Sequence, residues 1–172
     1  MEQRIQRGIA EGSVSAKTKK LTLTAMMTAV ILILTRVFSI PMPLTEGYVT
    51  LGDGGIYFAA YLFGPVVGGL AGGLGTGLAD ILGGYAHWAG FSFLIHGAQG
   101  VIAGYLGRKG TMAAYIGGIV VGGIVMVGGY FAAGAWMYGI PAAAAEIIGN
   151  TGQNIVGGMV GTALFYAVRH KK

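Results

Sequence analysis

The chain of 172 residues contains no cysteine. A disulfide framework, a thiolate zinc site and a cysteine nucleophile are therefore excluded. Charge is scarce as well, at 10% of residues against 54% hydrophobic. That balance does not fit a soluble globular domain. Catalytic signatures are missing too: neither H-E-x-x-H nor G-x-S-x-G occurs. The stretch "GGLGTGLAD" at 72–80 is the nearest approach to a phosphate loop. It lacks the Lys and Ser/Thr of a P-loop, does not complete G-x-G-x-x-G, and lies inside an apolar run rather than after a strand. No ATP site belongs to this chain, and no metal or cofactor is expected.

Glycine, in contrast, is abundant, with 34 residues set among Val, Ile, Leu and Ala and without a G-X-Y period. This is the composition of closely packed transmembrane helices. The sequence therefore predicts an all-α integral membrane protein of one domain. The net charge of +5 would point to nucleic acid in a soluble protein. Here it reports topology.

"KTKK" at 17–20 leads into the apolar run "LTLTAMMTAVILILTRVF" at 21–38. The run is too long for a signal-peptide core, is not followed by a small-x-small cleavage site, and is close to the length that crosses hydrocarbon. It is read as the first span, behind a polar cytoplasmic tail at 1–16. Pro, Gly and charge punctuation place five more spans near 53–65, 67–84, 90–106, 111–134 and 142–168, with Pro65 breaking the chain between the second and third. The membrane domain is 17–172.

Basic residues support that count. Arg4, Arg7, Lys17, Lys19 and Lys20 precede the first span, Arg108 and Lys109 lie between the fourth and fifth, and Arg169, Lys171 and Lys172 follow the sixth. Six crossings put all three clusters on one side, leaving Arg36 as the exception among eleven Lys and Arg residues. By the positive-inside rule both termini are cytoplasmic. The segments 39–52, 85–89 and 135–141 then lie outside.

Polar side chains gather toward that outer side. Asp80 ends the third span, His87 sits in the second outer loop, and His96 and Gln99 lie roughly 10–15 Å down the fourth span at 1.5 Å per residue. Glu146, Asn150, Gln153 and Asn154 follow i, i+4, i+7, i+8 spacing and form one stripe on the sixth. Tyr85, Trp88, Trp136 and Tyr138 ring the outer mouths. Intramembrane polar groups cost a few kcal/mol each on insertion scales, roughly 2.5–3.5 for Asp, Lys or Arg, and they face cavities or pathways. Their gathering on one leaflet predicts an outward-opening pocket that stacks a flat ring and hydrogen-bonds its rim. Other readings exist for several of these residues: an interfacial aromatic belt for Trp136 and Tyr138, solvated loop carboxylates for Glu46 and Asp53, an N-cap for Asp53, and a snorkelling Arg36. The recurrence of Gly64, Gly68, Gly72, Thr76 and Asp80, and of Gly69, Gly73 and Gly77, predicts tight helix packing around the third span.

Taken in order, the basic tail leading into a span with Ala25-x-x-x-Ala29, then "GYVTLGDGGIYFAAYLFGPVVGGLAGGLGTGLADIL", then "FLIHGAQG", with six spans in about 170 residues, resembles the S component of an energy-coupling factor (ECF) vitamin transporter. The resemblance covers residues 17–168. It implies that Ala25 and Ala29 contact a transmembrane coupling subunit and that two cytoplasmic ATPases supply energy. It further implies that the loaded S component topples in the membrane to release its vitamin inside. "HWAGFSFLIHGAQG" resembles members associated with hydroxymethylpyrimidine or pyridoxine-type rings more than riboflavin or pantothenate members. The substrate-binding residues expected on this reading are Arg36, Asp80, Tyr85, His87, Trp88, His96, Gln99, Glu146, Asn150 and Gln153, with no catalytic residue and location in the bacterial cytoplasmic membrane. The rival classes are a self-sufficient carrier or channel using Asp80, His96 and Glu146, and an intramembrane enzyme using Asp80, His87 and His96. A carrier calls for polar inner halves or an inverted repeat. Neither is evident in the sequence.

Overall fold

The structure, a computed structural model, describes the backbone of residues 2–169 and the side chains of residues 14–169. The Arg4 and Arg7 side chains, Lys171 and Lys172 lie outside the described residues. Within them the chain forms α1 (Glu2–Val37), a hairpin of β1 (Ser39–Met42) and β2 (Gly47–Thr50), then α2 (Gly52–Phe63), α3 (Pro65–Gly83), α4 (Ala89–Gly107), α5 (Met112–Tyr138) and α6 (Ile140–Arg169). The helix boundaries follow the expected spans closely. One exception is α1, which runs unbroken into the segment expected as a tail.

Among the described residues three helices have both the length and the apolar content to cross a membrane: Val14–Val37 within α1, α3 and α5. The helices α4 and α6 have the length but carry inward polar side chains, which lower their mean hydropathy. At 12 residues, α2 is about 18 Å long, well short of the roughly 30 Å hydrocarbon core.

Position explains that shortness. α2 sits at the centre, packed against α1, α3, α4 and α6, and its first residues are fully buried. The carboxylate of Asp53, on its first turn, lies 3.7 Å from His96 Nδ1, and His96 is seven residues into α4. The helix therefore starts about 10 Å below the N-terminal end of α4, and the hairpin fills the space above it. Ser39 pairs with Thr50 and Met42 with Gly47 in antiparallel register. Pro41 is tolerated because β1 is a free edge. β2 bridges the gap between α1 and α6.

The helices pack with small residues inward and large ones outward. On α3, Gly68, Gly72, Thr76 and Asp80 are buried while Leu70, Leu74, Leu78 and Leu82 are exposed at the same four-residue spacing. A Cβ on Gly100 of α4 would lie 2.6 Å from the carbonyl carbon of Gly68 and 2.9 Å from the amide nitrogen of Gly69. Only glycine permits that backbone contact. Gly64, at φ 89, makes the break between α2 and α3, and Pro65 occupies the first helical position where its missing N–H costs nothing. A leucine-covered exterior around a glycine and polar interior suits hydrocarbon rather than water.

The two ends of the bundle differ. At one end Tyr61, Tyr115, Phe165 and Tyr166 stack together. Arg169 reaches Tyr115 there, and Arg108 covers Tyr105. The polar side chains collect toward the other end.

Candidate functional site

A narrow cavity opens at that second end. Its walls come from every helix around the centre: Thr35 of α1, Thr76 and Asp80 of α3, Ser92 and His96 of α4, Tyr130 of α5, and Glu146, Asn150 and Gln153 of α6, with Trp88 at the rim. Gly47, Tyr48 and Thr50 of β2 form the roof. Side chains of the walls tie the hairpin down. The Tyr48 hydroxyl donates to Asp80 Oδ1 at 2.6 Å, the Trp88 indole N–H donates to the Thr45 carbonyl at 3.1 Å, and the Thr45 hydroxyl donates to Glu146. Burial, reinforced by the neighbouring Asp80, raises the Tyr48 phenol well above its usual value, so it remains a donor at neutral pH.

Two side-chain oxygens of the wall are left without partners, Thr35 Oγ1 and an oxygen of Asp80. Asp80 is 3% exposed, and its Oδ2 has no hydrogen-bond partner. The neighbouring Ser92 hydroxyl is hydrogen-bonded to the Tyr130 hydroxyl at 2.7 Å. A buried carboxylate oxygen without a donor is costly. In a cavity wall it is a place for a donor from a bound molecule.

Beneath the floor runs a buried network. Asp53 accepts from Gln153 Nε2 at 2.9 Å on one oxygen and from Gln99 Nε2 at 2.8 Å on the other. Gln153 Oε1 takes the backbone N–H of Thr50 at 2.6 Å. His96 Nδ1 meets Gln99 Oε1 at 2.7 Å. Asn154 accepts from the Tyr57 hydroxyl and donates to the Ile119 carbonyl at 3.2 Å.

Asp80, Trp88, His96, Glu146, Asn150 and Gln153, all expected from sequence, are thus brought to one cavity. Four other expected residues fall elsewhere. Gln99 is fully buried in the network below the floor. Tyr85 stacks on Tyr48 with ring centroids 4.9 Å apart. With His87 it lines a separate, shallower hollow between the hairpin and the α3–α4 turn. Arg36, at the end of α1, lies against Tyr48 and Gly83 rather than in the wall. The surrounding aromatics divide similarly: Tyr138 stacks on Trp88, whereas Trp136 is exposed beside Phe91.

Asp53, expected as a solvated loop group or an N-cap, is neither. It is 0% exposed, and Leu51 occupies the cap position without any side-chain cap bond. Thr35, Tyr48, Thr50, Thr76, Ser92 and Tyr130 were not expected in the wall. For Ser92 a signal existed, since it precedes His96 by one helical turn and Gln99 by two.

The family model for the S component of ECF-type riboflavin transporters matches residues 15–170. The chain belongs to the ECF transporter S components. It is 41% identical over 140 residues to the thiamine precursor transporter HmpT of Lactococcus lactis subsp. cremoris (strain MG1363), covering 81% of each chain. An uncharacterized protein of Pyrococcus woesei is 42% identical over 139 residues, which are 80% of this chain and 93% of the relative. The fold is similar to a solved S component of a bacterial ECF transporter, with a TM-score of 0.64 at 21% identity, covering 90% of this chain and 95% of that one. The S component is a transport subunit rather than an enzyme, and the exposed apolar helices place it in a membrane.

Proposed function

We propose that this S component captures a hydroxymethylpyrimidine-type thiamine precursor from the outer side of the cytoplasmic membrane. The observation that carries the reading is the cavity wall, in which Asp80 Oδ2 lacks a donor among Ser92, Tyr130, Asn150 and His96. A small ring bearing an amino and a hydroxymethyl group supplies donors for such a wall, and Trp88 and Tyr130 supply ring faces. The 41% identical relative named a thiamine precursor transporter supports the choice of ligand. The family model takes its description from riboflavin. A narrow cavity roofed by a latched hairpin favours a single ring over a tricyclic one carrying a long polyol.

On this reading the six helices cross the membrane with both termini cytoplasmic, α2 completing its crossing through the hairpin above it. The basic clusters at 17–20, 108–109 and 169 then face the cytoplasm. Ala25 and Ala29 are exposed on α1 on the side away from buried Thr24, Met27 and Ile31. They form the small-residue patch for a transmembrane coupling subunit, which works with two ATPases. The S component topples within the bilayer and carries its closed cavity to the cytoplasmic side.

Equilibrium binding of hydroxymethylpyrimidine, pyridoxine and riboflavin to the purified protein tests the ligand. Hydroxymethylpyrimidine is expected to bind most tightly. Tighter binding of riboflavin would overturn the assignment.

A further inference from the structure

We infer that Gln99 and Asp53 are positioning residues that fix His96 with its proton on Nδ1, so that Nε2 faces the cavity as a hydrogen-bond acceptor. The argument runs from backbone groups whose roles admit no choice. The Thr50 N–H can only donate, so the atom of Gln153 that meets it is the amide oxygen. The Gln153 NH₂ must then point at Asp53 Oδ1. On the far side the Ile119 carbonyl can only accept, so the Asn154 NH₂ points at it and Asn154 Oδ1 turns inward.

Gln99 lies between these two fixed groups. One end of its amide faces three oxygens, Asp53 Oδ2 at 2.8 Å, the Tyr57 hydroxyl at 3.2 Å and Asn154 Oδ1 at 3.3 Å. The Tyr57 hydrogen goes to Asn154 Oδ1 or to the Ile119 carbonyl, which leaves its oxygen to accept. Three acceptors require the NH₂ at that end, and the Gln99 oxygen therefore faces His96. A carbonyl oxygen 2.7 Å from Nδ1 demands an N–H there. The chain of bonds thus starts at a strand of the roof and at a carbonyl of α5, and both ends settle the same imidazole.

Among the described residues no hydrogen bond to Nε2 is seen, and His96 lines the cavity. It joins Asp80 Oδ2 as a second acceptor awaiting a donor. The specificity rule is that a ligand must offer two hydrogens to this wall, one to the carboxylate and one to the imidazole. This rule builds on the ligand site proposed above; the state of His96 in the empty protein does not depend on it.

Nitrogen-15 NMR of histidine-labelled protein without ligand reads the tautomer directly, with His96 assigned by its loss in His96→Asn. A pyrrole-type signal at Nδ1 and a pyridine-type signal at Nε2 are expected. The reverse pattern, or two pyrrole-type nitrogens near neutral pH, would overturn the inference. In Gln99→Leu the pyridine-type signal is expected to move partly to Nδ1; an unmoved signal in a folded variant would remove Gln99 from its role. Adding hydroxymethylpyrimidine should displace the Nε2 signal as it accepts a hydrogen. A correct tautomer that ignores hydroxymethylpyrimidine would uphold the tautomer lock and count against the proposed ligand.

Discussion

Replacing Asp80 by Asn isolates the unpaired oxygen of the cavity wall. The substitution keeps the volume and shape of the side chain, and its amide oxygen can still accept from Tyr48, as Asp80 Oδ1 does at 2.6 Å. The NH₂ then stands where Oδ2 was. Oδ2 had no partner within the protein, so the empty fold exchanges one unpaired buried polar atom for another and its stability changes little. A ligand donor at that position meets another donor. A hydrogen bond to a charged group contributes about 1.5–3 kcal/mol, which corresponds to roughly 10- to 100-fold in affinity at 1.4 kcal/mol per tenfold. Titration calorimetry with hydroxymethylpyrimidine, paired with thermal unfolding of the ligand-free protein, separates the two effects. Affinity should fall by that factor with an unfolding temperature close to wild type. Affinity within twofold of wild type would refute the reasoning, because Oδ2 would then face no ligand donor. A fall in ligand-free stability that matched the loss of binding would refute it as well.

Three other substitutions test separate features. Thr45→Val removes the donor to Glu146 and should cost about 1–3 kcal/mol for a buried acceptor left unpaired, visible as faster hydrogen exchange across 39–50. Gly100→Ala places a methyl group against the Gly68–Gly69 backbone; overpacking of this kind costs about 1–3 kcal/mol, to be read as a lower unfolding temperature in detergent. Ala29→Leu alters an exposed position on α1 and should leave hydroxymethylpyrimidine binding unchanged while abolishing uptake by the assembled transporter. Normal uptake would remove Ala29 from the coupling surface.

The helices were legible because glycine, proline and charge interrupt otherwise continuous apolar runs, and α3 to α6 begin and end within a few residues of those marks. The hairpin was not. "SIPM" and "GYVT" are short, one contains a proline, and their pairing depends on a gap between α1 and α6 that only the assembled bundle creates. The α6 stripe was legible by period, and three of its members, Glu146, Asn150 and Gln153, reach the cavity wall. Asp53 was misjudged because a carboxylate before an apolar run looks the same whether it caps a helix at the surface or starts one deep inside. Its depth follows from the length of α2, a tertiary fact. Arg36 and His87 share one end of the bundle with the cavity residues, but nearness along the bundle axis says nothing about the direction a helix face points.

The close meeting of α3 and α4 through Gly68, Gly69 and Gly100 bears on how such a body can move. Helices held apart by long side chains can slide or hinge as those chains change rotamer, whereas main chain resting on main chain has no such compliance. Any large displacement of this subunit is therefore a tilt or rotation of the whole bundle relative to its surroundings, while internal rearrangement is left to the hairpin, whose hold on the rest is made of a few detachable side-chain bonds.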